Sequence, residues 1–460
     1  MSDREFDVVV IGAGAPGEVC AGRTAGKHDL ATAIVESHLV GGECSYYACM
    51  PSKALLRPAE LLAEARRVPG VAQAVTGELD PGSALSRRDE VVHDLDDSSQ
   101  LPWLEDMGIE LFRGEGRLDG EHRVVVGDDV LTARRAVVVS TGSAAAMPPI
   151  EGLDSVGAWN NREGTTSKRV PESMIVLGGG PVGCELAQAW ATLGTRVTLV
   201  EGDRGLLPRE EPFAGQEVEE SLRETWGVEV RCACRLERVR REGATVIGTP
   251  DDGRGEITAE EILVAVGRKP RTAGIGLDSV GVEPGKGGFL ETDDRLRVGG
   301  SEWLYAVGDV NGRALLTHMG KYQGRVAGDV VAGEDAAAIA EGLGSPRVTF
   351  TDPQVAAVGK TQAQAEEEGV RVSVIDVPTD ATAGGSFQGK DTGGTSRLVV
   401  DEERGVLVGA TFVGFETADF AHAASVAVVG EVPLERLVHA VPSYPSRSEV
   451  WLKLIEEYGL

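Results

Sequence analysis

Two cysteines five positions apart are the residues of this sequence best placed for redox chemistry. Cys44 and Cys49 follow a pair of glycines and precede a Pro-Ser-Lys triplet that ends at Lys53. They could close a small disulfide ring at the start of a helix. The helix N-terminus and a nearby cation would then lower a thiol pKa and produce the thiolate that attacks disulfides. The alternative is that both cysteines pack in the core as small apolar residues, a common fate of free cysteine.

Two glycine-rich turns could each hold a dinucleotide. Both have the spacing Gly-x-Gly-x-x-Gly directly after an apolar run, with glycines at Gly12, Gly14, Gly17 and at Gly178, Gly180, Gly183. In this spacing the first glycine permits a tight turn, the second lets the backbone approach a pyrophosphate, and the third lets helix and strand pack closely. An acid that could bind a ribose hydroxyl follows each turn roughly 20 residues on, at Glu36 and at Glu201.

One such turn is weak evidence, but two copies with the same surroundings favour two dinucleotides and electron transfer between them. Glu201 favours the free ribose 2′-hydroxyl of NADH over a 2′-phosphate, which would require an arginine nearby. Arg204 lies three residues further on, so NADPH stays possible. The sequence therefore predicts a preference for NADH.

Short apolar runs alternate with helical stretches, which is typical of an α/β fold with a parallel sheet buried on both faces. The predicted strands contain Val8–Ile11, Ala33–Val35, Val137–Val139, Ile175–Leu177, Val197–Val200 and Ile262–Val266. The unit at 6–36 recurs at 172–201, which indicates an internal duplication of a nucleotide-binding unit. From about residue 345 the pattern changes to one that predicts an antiparallel sheet with helices.

Composition and charge exclude several classes of function. The 460 residues carry a formal net charge of −28, which argues against binding of nucleic acid or of anionic membrane surfaces. No apolar run reaches the ~20 residues needed to span a bilayer. The charged N-terminus does not resemble a signal peptide, so we expect a cytoplasmic protein. The 6 cysteines are too few for a disulfide scaffold, and a close pair in a reducing compartment is expected to be catalytic.

The chain resembles the flavoprotein disulfide reductases, the family of dihydrolipoamide dehydrogenase, glutathione reductase and mercuric reductase. The resemblance covers nearly the whole length. Its motifs are the two glycine-rich turns, the cysteine pair, Ser140–Ser143, Val266–Pro270, Ala306–Asp309 and Phe350–Pro353. It implies two Rossmann-like dinucleotide-binding domains, for FAD and NAD(P), and a C-terminal α+β dimerisation domain. The implied domains are 1–150 and 276–344 for the two parts of the FAD-binding and central region, 151–275 for NAD(P), and 345–460 for the homodimer interface.

The same resemblance implies a role for individual residues. Cys49 would form the thiolate beside the flavin, Cys44 would exchange with the substrate, and Lys53 would pair with Glu185 next to the flavin. Without the resemblance, Glu185 would be interpreted as an exposed helix acid. FAD would be bound by the first turn with Glu36, and further by Lys53, Gly116, Thr141, Gly142, Asp309, Leu316 and Thr317. NAD(P)H would be bound by the second turn with Glu201, and Gly267 falls in a further cofactor motif.

The sequence departs from the disulfide-reducing members at one catalytic position. Those members carry a His-Pro segment from the partner subunit whose histidine is the general base and whose glutamate orients it. Here the matching segment has Tyr444 and Glu449, and a phenol titrates about three pH units higher than an imidazole. Mercuric reductases also have tyrosine here, but they need an additional C-terminal cysteine pair that this sequence lacks. We therefore expect no mercury reduction.

These residues predict a flavin-dependent oxidoreductase that passes electrons from NAD(P)H through FAD to the Cys44–Cys49 disulfide and on to a small disulfide. The alternative is a quinone or another small oxidant as acceptor, which needs no histidine base. A redox sensor without turnover is a further hypothesis, and attachment to a 2-oxoacid dehydrogenase complex is another. No metal site is expected, because Cys232 and Cys234 are predicted to pack on one face of a strand and metal binding would need more ligands. Cys20 and Cys184 are also predicted to pack in the core.

Overall fold

The computed structural model describes residues 2–390 and 392–460. Its strands are β1 (Ser2–Ile11), β2 (Thr32–Glu36), β3 (Glu110–Arg113), β4 (Gly116–Leu118), β5 (Arg123–Val126), β6 (Asp129–Val139), β7 (Ser143–Ala145), β8 (Ser173–Leu177), β9 (Arg196–Val200), β10 (Glu229–Arg231), β11 (Leu236–Glu242), β12 (Thr245–Pro250), β13 (Ile257–Ala259), β14 (Glu261–Val264), β15 (Arg268–Pro270), β16 (Leu304–Ala306), β17 (Arg347–Thr349), β18 (Gln354–Gly359), β19 (Val372–Pro378), β20 (Thr395–Asp401) and β21 (Val406–Gly414).

Its α-helices are α1 (Ala15–Gly22), α2 (Gly42–Tyr46), α3 (Cys49–Arg67), α4 (Pro81–Val91), α5 (Leu101–Asp106), α6 (Asn161–Thr166), α7 (Pro181–Thr192), α8 (Pro212–Glu224), α9 (Thr317–Ala332), α10 (Ala340–Gly344), α11 (Gln362–Glu367), α12 (Ala418–Val429), α13 (Leu434–Leu437) and α14 (Glu449–Tyr458). Across the described part of the chain, no helix combines the length and apolarity that crossing a bilayer requires.

Two compact units divide the chain. The first contains the chain up to Pro51 together with Asp89–Ala145 and Arg268–Glu341. The second contains Ser52–Arg88, Ala146–Gly267 and Gly342–Leu460. Three of these divisions, after Ala145, Gly267 and Glu341, lie between three and eight residues before the predicted domain boundaries at 150, 275 and 344. The partition of the chain into an FAD domain, an NAD(P) domain and an interface domain stays a prediction.

The first unit is built on a seven-stranded mixed sheet with the order β3-β2-β1-β6-β5-β4, in which β16 also pairs with β6. β1 pairs in parallel with β2 and β6, and Val8 to Ile11 of β1 are almost completely buried. A strand flanked on both sides and covered on both faces must be apolar throughout, which explains its sequence. Helices α1 and α9 pack closely, since a Cβ on Gly324 would lie 2.4 Å from the carbonyl oxygen of Pro16.

The second unit holds a four-stranded parallel sheet with the order β10-β9-β8-β14 and a three-stranded antiparallel sheet of β11, β12 and β13. It also holds a five-stranded antiparallel sheet with the order β17-β18-β21-β20-β19. Helices α12 and α14 pack against this last sheet through a core that includes Phe412, Phe420 and Trp451. The α/β class and the antiparallel C-terminal sheet are therefore confirmed.

Candidate active site

The first glycine-rich turn joins β1 to α1 in the first unit. Gly12 has φ +106°, and a Cβ at this position would lie 2.3 Å from the carbonyl oxygen of Ser140. A Cβ on Gly17 would lie 2.0 Å from the carbonyl oxygen of Gly12, whereas a Cβ on Gly14 would meet no atom closer than 4.0 Å. The outer two glycines are thus required by the protein's own packing. The middle one faces open space, as it must where backbone approaches a ligand.

Glu36 is held against this turn at the end of β2. Its carboxylate accepts hydrogen bonds from the backbone N–H groups of Ala13, at 2.7 Å, and His38, at 2.8 Å. Two buried oxygens lie beside the turn, Ser140 Oγ directly after β6 and Glu18 Oε1 in α1, and neither has a hydrogen-bond partner among the described residues. Buried polar atoms are normally paired, so this region is suited to a polar ligand.

A second polar cluster of the first unit surrounds Asp309. Ser143 Oγ donates to Asp309 Oδ2 at 2.5 Å, and Arg268 donates to Ser143 through Nε. Burial raises the pKa of Asp309, while the hydrogen bond from Ser143 opposes that shift. A carboxyl group has several acceptor lone pairs, so Asp309 can accept a hydrogen bond from a ligand hydroxyl in addition to the one from Ser143. Sequence reasoning missed Arg268 and Ser143 as partners of Asp309, although both lie in the quoted motifs.

The other predicted cofactor residues of this region differ in surroundings. Thr141 Oγ1 donates to the carbonyl oxygen of Arg271, and Gly116 packs against the side chains of Ile11 and Val35. Gly142, at φ +70°, has open space where a Cβ would lie. In the second unit, Gly267, at φ +132°, also has open space at that position.

Cys44 and Cys49 lie together in the first unit as half-buried thiols that are not joined by a disulfide. Cys44 belongs to α2 and Cys49 is the first residue of α3. The hydrogen bond with Cys49 raises the pKa of Cys44 above its usual range, burial adds to the shift, and Thr317 and Lys321 oppose it. The two thiols therefore hydrogen-bond to each other, an arrangement that differs from two cysteines packed separately in the core.

The start of α9 supports a negative charge on this pair. Thr317 is the first residue of the 16-residue helix and its Oγ1 lies 3.4 Å from Cys49 Sγ. Leu316 is the N-cap residue and has extended backbone geometry. A helix N-terminus carries the positive end of the helix dipole, which favours a thiolate over a thiol. Thr317 was predicted as a cofactor residue, and its contact with Cys49 was not anticipated.

The second glycine-rich turn repeats the first in the second unit. A Cβ on Gly178, at φ +110°, would lie 2.6 Å from the carbonyl oxygen of Ala265, and a Cβ on Gly183 would lie 1.8 Å from that of Gly178. A Cβ on Gly180 would meet nothing within 4 Å. Glu201 accepts hydrogen bonds from the N–H groups of Gly179 and Asp203, as Glu36 does from the equivalent positions.

Cys232 and Cys234 correct one sequence expectation. β10 ends at Arg231, and the cysteines follow it in a bend in which Ala233 has φ +50°. The N–H of Cys234 donates to the carbonyl of Glu201, so the chain leaves the strand to bond with the loop after β9. Cys232 packs against the core that includes Cys184, whereas Cys234 belongs to another core. The two side chains therefore do not share one face of a strand.

The remaining cysteines are held as thiols by burial. Burial raises the pKa of Cys232 to about 12, and it raises the pKa of Cys20 to about 12 as well. Burial also raises the pKa of Cys184 well above its usual range. These environments oppose thiolate formation, in contrast to that of Cys49.

The structure brings Lys53 and Glu185 together in the second unit. Lys53 Nζ lies 2.6 Å from Glu185 Oε2, and the N–H of Phe350 donates to Glu185 Oε1 at 2.9 Å. Glu185 is 5% exposed, so it is a buried acid with both oxygens bonded, not an exposed helix acid. Phe350 was quoted as part of a motif, but nothing in the sequence revealed that its backbone binds Glu185.

Tyr444 and Glu449 lie near the C-terminus of the second unit. The Tyr444 residue is 79% exposed. The Glu449 carboxylate accepts hydrogen bonds from the N–H groups of Ser446, at 3.0 Å, and Gly384, at 3.2 Å. Glu449 therefore fixes the backbone of the loop that carries Tyr444.

His28, Asp329 and Glu334 form a cluster with the donor types of a metal site. Arg23 and Lys27 already donate to the Asp329 carboxylate, at 2.7 to 2.9 Å. These ion pairs hold the pKa of Asp329 well below its usual range, with Arg23 as the largest cause. The negative charge of the cluster is therefore already balanced by Arg23 and Lys27.

Comparison with known proteins agrees with this geometry. Residues 6–324 match the family described as "Pyridine nucleotide-disulphide oxidoreductase", and residues 345–455 match the dimerisation domain of the same family. The chain belongs to this family. Its members depend on FAD and on a pyridine nucleotide, and the chain is a flavin-dependent pyridine nucleotide-disulphide oxidoreductase.

Proteins similar in sequence to this oxidoreductase are named for two different activities. A mercuric reductase of Lysinibacillus sphaericus is 30% identical over 98% of this chain and 82% of its own. A dihydrolipoyl dehydrogenase of Mycobacterium bovis is 33% identical over 96% of both chains. Among solved structures, LpdA of Mycobacterium tuberculosis superposes with a TM-score of 0.86 at 26% identity, over 99% of this chain and 100% of LpdA. The flavoprotein disulfide reductase RclA of Escherichia coli gives 0.86 at 24%, over 98% of this chain and 99% of RclA, and shows the shared fold.

The residues of this oxidoreductase fit the two cofactors that its family uses. Gly14 and Gly180 leave open space where a pyrophosphate would meet the backbone, and each cradle has an acid fixed by two N–H groups. Ser140 Oγ, which has no hydrogen-bond partner among the described residues, gives the first cradle a polar atom that can bind a ligand.

Proposed function

We propose that this protein oxidises NADH through FAD, passes the electrons to the Cys44–Cys49 disulfide, and reduces a small disulfide with the resulting dithiol. The observation that carries the proposal is the Cys44–Cys49 dithiol at the start of α9, with Cys49 Sγ 3.4 Å from Thr317 Oγ1. The two glycine-rich cradles of the same chain support it, because they provide for an electron donor and a carrier. When bound, FAD supplies the two-electron relay between nicotinamide and disulfide.

The chain's own residues account for the thiol steps. Cys44 gives up its proton to solvent, and its thiolate attacks the substrate disulfide, which forms a mixed disulfide and releases one thiolate. The Cys49 thiolate, stabilised by Thr317 and the N-terminus of α9, then attacks Cys44 Sγ and releases the second thiolate. The two released thiolates take up the two protons that Cys44 and Cys49 gave up, through solvent and, in a homodimer, through Tyr444 of the partner subunit, and the Cys44–Cys49 disulfide is restored. Lys53 takes no part in these thiol steps and lies 2.6 Å from the buried Glu185.

NADH is the proposed nucleotide. The Glu201 carboxylate is fixed at the end of β9 by the N–H groups of Gly179 and Asp203, so it cannot easily turn away from a ribose. A carboxylate accepts a hydrogen bond from a 2′-hydroxyl and repels a 2′-phosphate. The dimerisation domain at residues 345–455 supports a homodimer, in which Tyr444 would act on the partner's dithiol.

A quinone is the second candidate acceptor, and Tyr444 favours it. A phenol is a poor base near neutrality, whereas reduction of a quinone by flavin or dithiol requires no such base. A disulfide remains the first candidate acceptor because Cys44 and Cys49 are both present and lie together.

An anaerobic titration with NADH tests the proposal. Reduction by NADH is expected to produce a long-wavelength absorbance from the Cys49 thiolate against the flavin, and Cys49→Ser is expected to abolish it. Turnover with lipoamide, small-thiol disulfides and quinones then identifies the acceptor, with NADPH as the comparison donor. Full quinone turnover by Cys44→Ser, with no disulfide reduction by the unmodified protein, would replace the first candidate with the second. Equal or better kcat/KM with NADPH would overturn the nucleotide assignment.

A further inference from the structure

The segment from Phe350 to Asp352 connects two helices that carry site residues of the second unit. Its alternate N–H groups donate to side chains of α7, Phe350 to Glu185 at 2.9 Å and Asp352 to Gln188 at 2.8 Å. Glu185 and Gln188 are three residues apart and therefore lie on one face of the helix. Asp352 also accepts from Arg67 Nη2 at 2.5 Å, near the end of α3. The segment is thus anchored at both ends.

The anchored segment places an aromatic ring against Lys53. Lys53 Nζ lies 4.7 Å from the centroid of the Phe350 ring, and it also lies 2.6 Å from Glu185 Oε2 and 3.3 Å from Ser52 Oγ. An ammonium at this distance from an aromatic face is attracted by the ring's quadrupole. One residue thus contacts both partners of the ion pair, through its N–H and through its ring.

The N–H and the ring of Phe350 both act on the position of the Lys53 ammonium group. Lysine has a long flexible side chain, and one carboxylate oxygen can hold its ammonium group in several directions. The second Glu185 oxygen is occupied by the Phe350 N–H, which fixes the rotation of the carboxylate. The ring then fixes the direction from which Lys53 approaches. The ammonium group is thus contacted from two directions, by the Glu185 carboxylate and by the Phe350 ring, although the Lys53 side chain is 36% exposed.

We propose that Phe350 is a positioning residue for Lys53. Its ring holds the ammonium group where the Lys53–Glu185 pair serves the flavin, so the inference rests on the proposed function. Phe350 itself does not contact reacting atoms in this role. Substitution of the ring therefore affects the rate only through the position of Lys53.

The experiment compares Phe350→Leu, which keeps the N–H and removes the ring face, with Phe350→Tyr, which keeps both. In protein labelled with ¹³C at the lysine ε-carbon, the Lys53 signal is assigned by its absence in Lys53→Met. The signal is expected to show an upfield ring-current shift that Phe350→Leu loses and Phe350→Tyr retains. The rate of flavin reduction by NADH is expected to fall about fivefold in Phe350→Leu, the equivalent of a ~1 kcal/mol contact, and to recover in Phe350→Tyr.

Phe213→Leu is the matched control, because Arg397 lies over the Phe213 ring at 5.0 Å in the same unit. It removes a comparable contact away from Lys53 and is expected to change neither the NMR signal nor the rate. The inference is overturned if Phe350→Leu leaves the Lys53 shift in place, if the rate stays within twofold of the unmodified protein, or if Phe213→Leu slows the reaction equally. A protein whose flavin NADH does not reduce refutes the proposed function instead, and the NMR comparison then decides the contact on its own.

Discussion

Gly180 and Gly183 lie three residues apart in the second glycine-rich turn, and we predict different effects when each is replaced by alanine. Gly183→Ala should lower stability, whereas Gly180→Ala should weaken NADH binding. A Cβ on Gly183 would lie 1.8 Å from the carbonyl oxygen of Gly178, which is 1.6 Å short of the 3.4 Å at which ordinary contact begins. Backbone would have to move to relieve it, so Gly183→Ala is expected to destabilise the second unit by about 1–3 kcal/mol or more.

Gly180→Ala is expected to leave the fold intact. The position has φ −75° and ψ −178°, which alanine adopts without strain, and a Cβ there meets nothing within 4 Å. The substitution also reduces the freedom of the unfolded chain, so stability should be unchanged or up to about 1 kcal/mol higher. The new methyl group occupies the space through which the pyrophosphate approaches the backbone, so we expect the Kd for NADH to rise about tenfold or more, or ~1.4 kcal/mol.

Thermal unfolding without nucleotide measures the first effect, and fluorescence titration with NADH measures the second. Gly14→Ala and Gly17→Ala repeat the comparison in the first cradle with FAD as ligand, since their surroundings match those of Gly180 and Gly183. Tight NADH binding by Gly180→Ala, or a lower unfolding temperature for Gly180→Ala than for Gly183→Ala, would refute the division of roles between the glycines.

Two further predictions concern proton transfer and stability. Tyr444→His should raise turnover with a small disulfide by tenfold or more, because an imidazole can accept the proton of Cys44. Turnover with a quinone should change little. Unchanged disulfide turnover would show that this position does not limit the reaction. Burial raises the pKa of Glu18 from 4.5 to about 7, with the charge of Lys321 opposing the shift. The native carboxyl therefore keeps its proton where the unfolded one has lost it, and stability should fall as the pH rises from about 4.5 to about 7. Denaturant unfolding of the flavin-free protein at pH 5 and pH 8 should show a smaller fall for Glu18→Gln, and an equal fall would contradict the burial of this group.

Most of the fold could be predicted because its signals are local. Short apolar runs such as Val8–Ile11, bounded by glycine and charge, are typical of strands buried on both faces, and both glycine-rich turns have the sequence of a strand-to-helix connection. The prediction for Cys232 and Cys234 was wrong because β10 is short. It ends after three residues, and hydrogen bonds to the loop after β9 decide the path of the chain beyond it.

Contacts between distant segments could not be predicted in the same way. Sequence spacing placed Lys53 near Cys49 on one helix, and the family resemblance paired Lys53 with Glu185. Neither revealed that Phe350 binds the pair, or that Glu449 holds the backbone of Ser446 and Gly384. Hydrogen bonds from backbone N–H groups leave no trace in residue type, since every residue other than proline has one.

By itself, the sequence determined the chemistry available to this protein: a cysteine pair, two cradles for dinucleotides, and a tyrosine where a histidine base is usual. Each depends on residue type and short spacing, which local geometry converts directly into structure. Only the tertiary structure decided which of these groups can carry charge. Burial at Cys184 keeps the cysteine thiol neutral. At Cys49 the thiolate is favoured, because Thr317 and the start of α9 lie against the sulfur. A thiol's protonation state depends on what surrounds it in space, and the elements that surround Cys49 come from parts of the chain more than 250 residues apart.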